Sequence, residues 1–168
     1  VPTGVQLGLG VRTAAIYRNT GQGTMQNTDN PLDVAIQGKG YFQITQPSGE
    51  IAYTRAGSFQ LSPDGTIVTS DGFQVEPAIT VPQNAVSISI NQSGEVFATI
   101  PNQTDPQNLG QLQTVNFINE AGLSAIGNNL FLETTASGSP VTGTPGTDGY
   151  GTILQGFLEA SNVNPVSE

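Results

Sequence analysis

YTRAGSFQLSPDGTIVTSDGFQV, residues 53–75, carries the pattern that decides the fold. Apolar and polar residues alternate from Phe59 through Ser62, the period of a half-buried strand. Ser62-Pro63-Asp64-Gly65 then reverses the chain, and Ile67 opens the return. The reversal has a mechanism. Pro63 presets φ, Asp64 can bond its own backbone, and Gly65 supplies φ > 0.

The same layout recurs on both sides. Phe42 and Ile44 alternate, Gln46-Pro47-Ser48-Gly49 turns, and Ile51 and Tyr53 return. Ile88 and Ile90 alternate, Asn91-Gln92-Ser93-Gly94 turns, and Val96 returns. Three hairpins with turn glycines at 49, 65 and 94 predict an all-β, antiparallel, hairpin-rich domain. Their spacing is too irregular for a solenoid. Further strands are expected at 72–80, 111–118, 129–134 and 152–159, with loops at 101–108 and 136–149. No segment holds a 3.6-residue period long enough for a helix of several turns.

The ends read differently. Gly4, Gly8, Gly10, Gly21 and Gly23 interrupt an extended N-terminal strap. Near the C-terminus, Asn164-Pro165 followed by Glu168 has the form of a helix start, with Asn capping and Pro at the first helical position. The expected organisation is a stem over residues 1–30, a β domain over 31–157, and a second stem over 158–168 leading toward a C-terminal helix.

Composition excludes whole classes of function. The chain has 168 residues, 21 glycines and 11 prolines, and no cysteine, histidine or tryptophan. Nucleophile–histidine pairs, thiolate chemistry and His-metal sites are therefore excluded. Thirteen acids leave room for a carboxylate pair of the glycosidase kind, but nothing marks two of them as special. Gly38-Lys39 lacks the upstream glycine and the Ser/Thr of a phosphate loop, and Gly8-Leu9-Gly10 has no helix behind it. Calcium candidates at Asp64-Gly65, Asp71-Gly72 and Asp148-Gly149 lack a second acid at i−2, so turn roles are expected for them. The expectation is neither enzyme nor metalloprotein, with no cofactor. No apolar run reaches membrane-spanning length, and the first residues do not read as a secretory signal.

Charge is split along the chain. The net charge is −9, yet all four bases, Arg12, Arg18, Lys39 and Arg55, lie in the first 55 residues, opposed there by Asp29, Asp33 and Glu50. The other ten acids follow with no base among them. Phosphate backbones and anionic lipid would be repelled, so neither nucleic acid nor a membrane is an expected partner. Arg55 is either a solvated strand residue or half of an ion pair across a subunit boundary.

With those readings in place, residues 53–75 resemble a signature of the rod and hook proteins, the axial family of the bacterial flagellum. DVAIQGKGYFQI at 33–44 is similar to the family's block before the hairpin, although Lys39 and Tyr41 stand where many members carry an acid and Phe. LQGFLEASNVNPVSE at 154–168 looks like the approach to the family's C-terminal helix. VPTGVQLGLGVR at 1–12 and GQLQTVNFINEAGLSAIGNNLFLETTASG at 110–138 resemble the distal-rod branch in particular.

The resemblance implies a structural subunit exported without a cleaved signal peptide, and a core fragment lacking the family's terminal helices. It implies polymerisation into a hollow helical tube, the drive shaft that passes torque from motor to hook. Its partners would be copies of itself, neighbouring rod and hook proteins and the surrounding envelope rings, across the periplasm toward the outer membrane. A hook or proximal rod subunit, a carbohydrate-binding adhesin module and a phage-tail module are the alternatives. In such an array ten unopposed acids per copy repel unless some meet a neighbour's base. At least one of Arg12, Arg18, Lys39 and Arg55 is therefore expected at a subunit contact.

Overall fold

The computed structural model describes residues 22–160 in full and, outside them, the backbone of Ala15–Arg18 and Val163–Val166. Among the described residues the structure is antiparallel β throughout, with one short 3-10 turn at Glu120–Gly122. All three glycine-marked hairpins form. Phe42–Thr45 pairs with Ile51–Thr54, Gln60–Leu61 with Ile67–Val68, and Ser87–Ile90 with Glu95–Thr99. In each, the turn glycine's amide closes the reversal, Gly49 onto Gln46, Gly65 onto Ser62 and Gly94 onto Asn91, with φ near +90°.

Two of these hairpins join a seven-stranded sheet. Its order is Ser124–Gly127, Leu130–Leu132, Ile51–Thr54, Phe42–Thr45, Gln74–Glu76, Ile67–Val68 and Gln60–Leu61. Phe42–Thr45 sits at its centre and alternates as expected, with Phe42 and Ile44 fully buried. The third hairpin gains Gln107–Gln111 to make a three-stranded sheet. Val34, Ile36, Phe42, Ile44, Val75, Val96, Leu112 and Ile153 meet between these elements in one apolar core. A second, smaller cluster packs Tyr41, Tyr53, Val115, Phe117 and Leu123, with aromatic rings meeting edge to face.

The two ends of the described chain run side by side. Val34–Gln37 pairs with Thr152–Gln155, Met25–Asn27 with Phe157–Glu159, and Ala15–Arg18 with Val163–Val166. All three pairs are antiparallel, so the segments leading in and out form an interrupted two-stranded ribbon. The expected strand 152–159 is thus two strands, broken at Gly156, whose φ is +81°.

Several expectations need correction. The helix start expected at Asn164-Pro165 is strand in the structure, where Pro165 sits opposite Ile16. Each strand of a two-stranded ribbon keeps one unpaired edge, the place in a sheet that tolerates a residue without an N–H. The loop expected at 101–108 ends in the strand Gln107–Gln111, and the loop at 136–149 contains Val141–Gly143, paired with Thr114–Asn116. The long strands expected at 72–80 and 111–118 shorten to Gln74–Glu76 and Thr114–Asn116. Proline follows directly at 77, where it cannot donate to a ladder. Residues 1–14 of the expected strap lie outside the described residues.

Candidate functional site

The four bases have different fates. Arg12 lies outside the described residues, and of Arg18 only the backbone is described. Lys39 is exposed in the loop between Val34–Gln37 and Phe42–Thr45, and pairs with no carboxylate among the described residues. Its carbonyl accepts the Gly151 amide at 2.8 Å, which pins the loop while the ammonium stays in water.

Arg55 is the centre of a junction. It follows Ile51–Thr54, and its guanidinium reaches across the Lys39 loop to the far end of the chain. One Nη donates to the carbonyls of Gly38 and Gly40 at 2.7 and 2.8 Å, and the other to that of Ile36 at 3.1 Å. Nε and the second Nη hold the Glu159 carboxylate, the closest approach being 2.9 Å. Gly38 and Gly40, at φ +119° and +135°, let the loop turn both carbonyls toward one point, a conformation that an L side chain rarely adopts. Only arginine's planar fork offers donors enough for three carbonyls and a carboxylate.

Glu159 is correspondingly filled. Besides Arg55 it accepts from Gln22 Nε2 at 2.5 Å and from the Gly23 amide at 2.7 Å, and its side chain is 9% exposed. Gln22 in turn accepts the Gly38 amide at 2.7 Å. The hairpin, the Lys39 loop, the incoming segment and the outgoing strand are thereby tied at one place. Sequence reasoning singled out Arg55 but missed Glu159 and Gln22, because 104 residues separate the ion pair and neither partner stands in a motif.

The acidic turn residues are built as turns. The Ser62 hydroxyl donates to Asp64, and this bond holds the Asp64 carboxyl below the usual carboxylate range. Asp71 lies in a reversal closed by the Gly72 amide on Thr69, and Asp148 in one closed by Tyr150 on Thr147. Among the described residues no three acids converge as a metal would require. Elsewhere, Tyr41 donates to Glu120 at 2.7 Å, and Thr45 to Glu76 at 2.6 Å. Burial, and then the charge of Glu133, push the Tyr53 phenol above its ordinary value of 10.0.

The seven-stranded sheet ends at Ser124–Gly127, whose four residues are all exposed, and at Gln60–Leu61, likewise exposed, although just before it Ser58 bridges Asp33 and the Phe59 amide donates to the Leu32 carbonyl. Each carries an outlying apolar side chain, Ile126 at 43% and Leu61 at 39% exposure. The geometry offers contact surfaces and an internal clamp, with no convergent acid–base or nucleophile chemistry among the described residues.

Residues 35–98 match the family described as the flagellar hook protein FlgE/F/G D1 domain. Over its full length the chain is 57% identical to the flagellar basal-body rod protein FlgG of Caulobacter vibrioides, covering 64% of that protein. It is 48% identical to the FlgG of Buchnera aphidicola from Acyrthosiphon pisum, again over the whole chain and 65% of the relative. Against the rod protein FlgF of Caulobacter vibrioides the identity falls to 32%, over 94% of the chain and 61% of that protein. The chain therefore spans a little under two thirds of the length of the curated relatives it matches.

Proposed function

We propose that the chain belongs to the flagellar hook and rod family and is the β domain of a distal-rod subunit, a structural part of the flagellar basal body. The observation that carries this reading is the pair of comparisons within one organism, 57% identity to the FlgG of Caulobacter vibrioides against 32% to its FlgF. A domain of turns, strands and short polar contacts fits a load-bearing subunit with no catalytic role and no cofactor.

On this reading the full-length protein polymerises with copies of itself into a helical tube, meets other rod and hook proteins at its ends, and turns inside the envelope rings. It transmits torque from motor to hook across the periplasm toward the outer membrane. The paired ends of the domain serve as a stem toward the tube wall, with residues 1–30 and 158–168 as its two arms. Of the four bases proposed as candidates for pairing with a neighbouring copy's acid, at least one of Arg12, Arg18 and Lys39 is expected to do so. Arg55 is already committed to Glu159 within the chain. An exposed pair contributes only about 0–1 kcal/mol, so such contacts set register more than strength.

Deleting the gene in a flagellated host and imaging purified basal bodies tests the assignment. Rods that stop short and carry no hook, restored by the full-length gene, are expected. Complete rods and hooks in the deletion strain would refute it.

A further inference from the structure

Resting on the rod reading, we infer that the two end strands of the seven-stranded sheet meet head to tail between neighbouring copies, Ile126 of one copy seating in a groove beside Leu61 of the next. A contact that propagates a polymer joins two different patches of the same subunit, and opposite edges of one sheet are such a pair.

The receiving side is already shaped. A groove of about 480 Å³ opens beside Leu61, and its lining includes Leu61, Pro63, Val81, Pro82, Val86 and Ile88. Val86 is 68% exposed, so the groove presents apolar surface to water. The Ser62 amide bonds Thr66, and Ile67 donates to Ile79. By the alternation of an antiparallel ladder, the Leu61 amide and carbonyl then point out of the sheet edge, beyond Phe59, whose amide already donates to Leu32, and offer one pair of backbone groups to another strand.

The inserting side is blunted by shortness and a bulge but not by charge. Natural edge strands are guarded by shortness, bulges, charge, proline or cover. Residues 121–132 contain no acid, no base and no proline. In a chain whose last 113 residues carry ten acids and no base, 121–132, between Glu120 and Glu133, and 77–94, which supplies much of the groove, are both uncharged, so these two stretches can meet without like-charge repulsion between them. Ile126 is the extra residue of a bulge between Ala125 and Gly127, so it has no ladder partner in its own sheet and projects as a knob. The groove holds one acid, Asp64, which a neutral partner meets at no Coulombic cost.

Cysteine pairs in the full-length protein test the contact, and the 168 residues contain no cysteine to interfere. Leu61→Cys is combined with Ser124→Cys, Ala125→Cys or Ile126→Cys, covering the possible registers, and polymers are oxidised and run under denaturing, non-reducing conditions. A disulfide needs Cα atoms about 4.4–6.8 Å apart. At least one pair should give a ladder of covalent multimers, absent from either single-cysteine variant. Ile126→Lys should slow polymerisation at least tenfold while leaving the domain's thermal unfolding unchanged. Polymers that yield only monomers with all three pairs would overturn the edge contact and leave the rod reading standing, as would Ile126→Lys polymerising like wild type. A full-length protein that forms no polymer would overturn both.

Discussion

Gly57 and Arg55 stand two positions apart and bear more of the structure than any exposed residue between Phe59 and Val75. Gly57 lies against Val34, whose amide donates to the Gly57 carbonyl at 2.9 Å, and a Cβ at 57 would overlap the Val34 carbonyl oxygen. Neither backbone can yield without breaking the pairing of Val34–Gln37 with Thr152–Gln155. Gly57→Ala is expected to cost about 3 kcal/mol, the upper range for overpacking, read as a drop in Tm of about 6–12 °C. Arg55→Ala leaves the mostly buried Glu159 carboxylate with only its Gln22 and Gly23 donors and no countercharge, and should cost about 2–3 kcal/mol in denaturant unfolding. Arg55→Lys should recover less than half of that, because an ammonium cannot serve three carbonyls and a carboxylate together. Full recovery by lysine would mean that charge alone matters. Tyr53 gives the pH signature. Its folded pKa lies above 10.0 while an unfolded tyrosine ionises near 10.0, so above that pH the unfolded state holds fewer protons than the native one. Stability should be unaffected by this group below about pH 10 and fall as pH rises past it. Tyr53→Phe should flatten that alkaline decline in a pH series of unfolding curves.

At the scale of elements, legibility followed alternation and turn chemistry. The hairpins at Gly49, Gly65 and Gly94 were readable because each pairs a period-two run with a reversal that needs φ > 0. Gln107–Gln111 was not. QNLGQ has one apolar residue and a glycine at φ +142°, and it is strand because Glu95–Thr99 offers it a ladder across a bulge. Val34–Gln37 shows three buried residues in a row with no alternation, which periodicity cannot distinguish from other buried segments. The ion pair across the chain ends was illegible for another reason: the sequence left Arg55 open between a solvated residue and half of a pair across a subunit boundary, and nothing in 56–168 distinguished Glu159 from nine other acids. The ribbon should be the least cooperative element. Amides of Met25–Asn27 and Phe157–Glu159, short strands with one partner each, are expected to exchange with solvent sooner than those of Phe42–Thr45, which is paired on both sides. Hydrogen exchange by mass spectrometry reads this order. Equal protection of the two would show the clamp at Glu159 to weld the ribbon fully into the body.

At the scale of the molecule, an acidic chain with a core split into one aliphatic and one aromatic cluster brings Met25–Asn27 and Phe157–Glu159 side by side. On the proposed rod reading, these paired strands are the stem by which the domain joins a polymer. The most direct measurement is a helical reconstruction of the polymer formed by the full-length protein. It should place residues 22–160 as repeated outer-layer units, with the strands Met25–Asn27 and Phe157–Glu159 directed toward the wall of a hollow tube. A full-length protein that stays monomeric under assembly conditions, or a polymer whose walls are built without this domain's paired ends leading into them, would contradict the account.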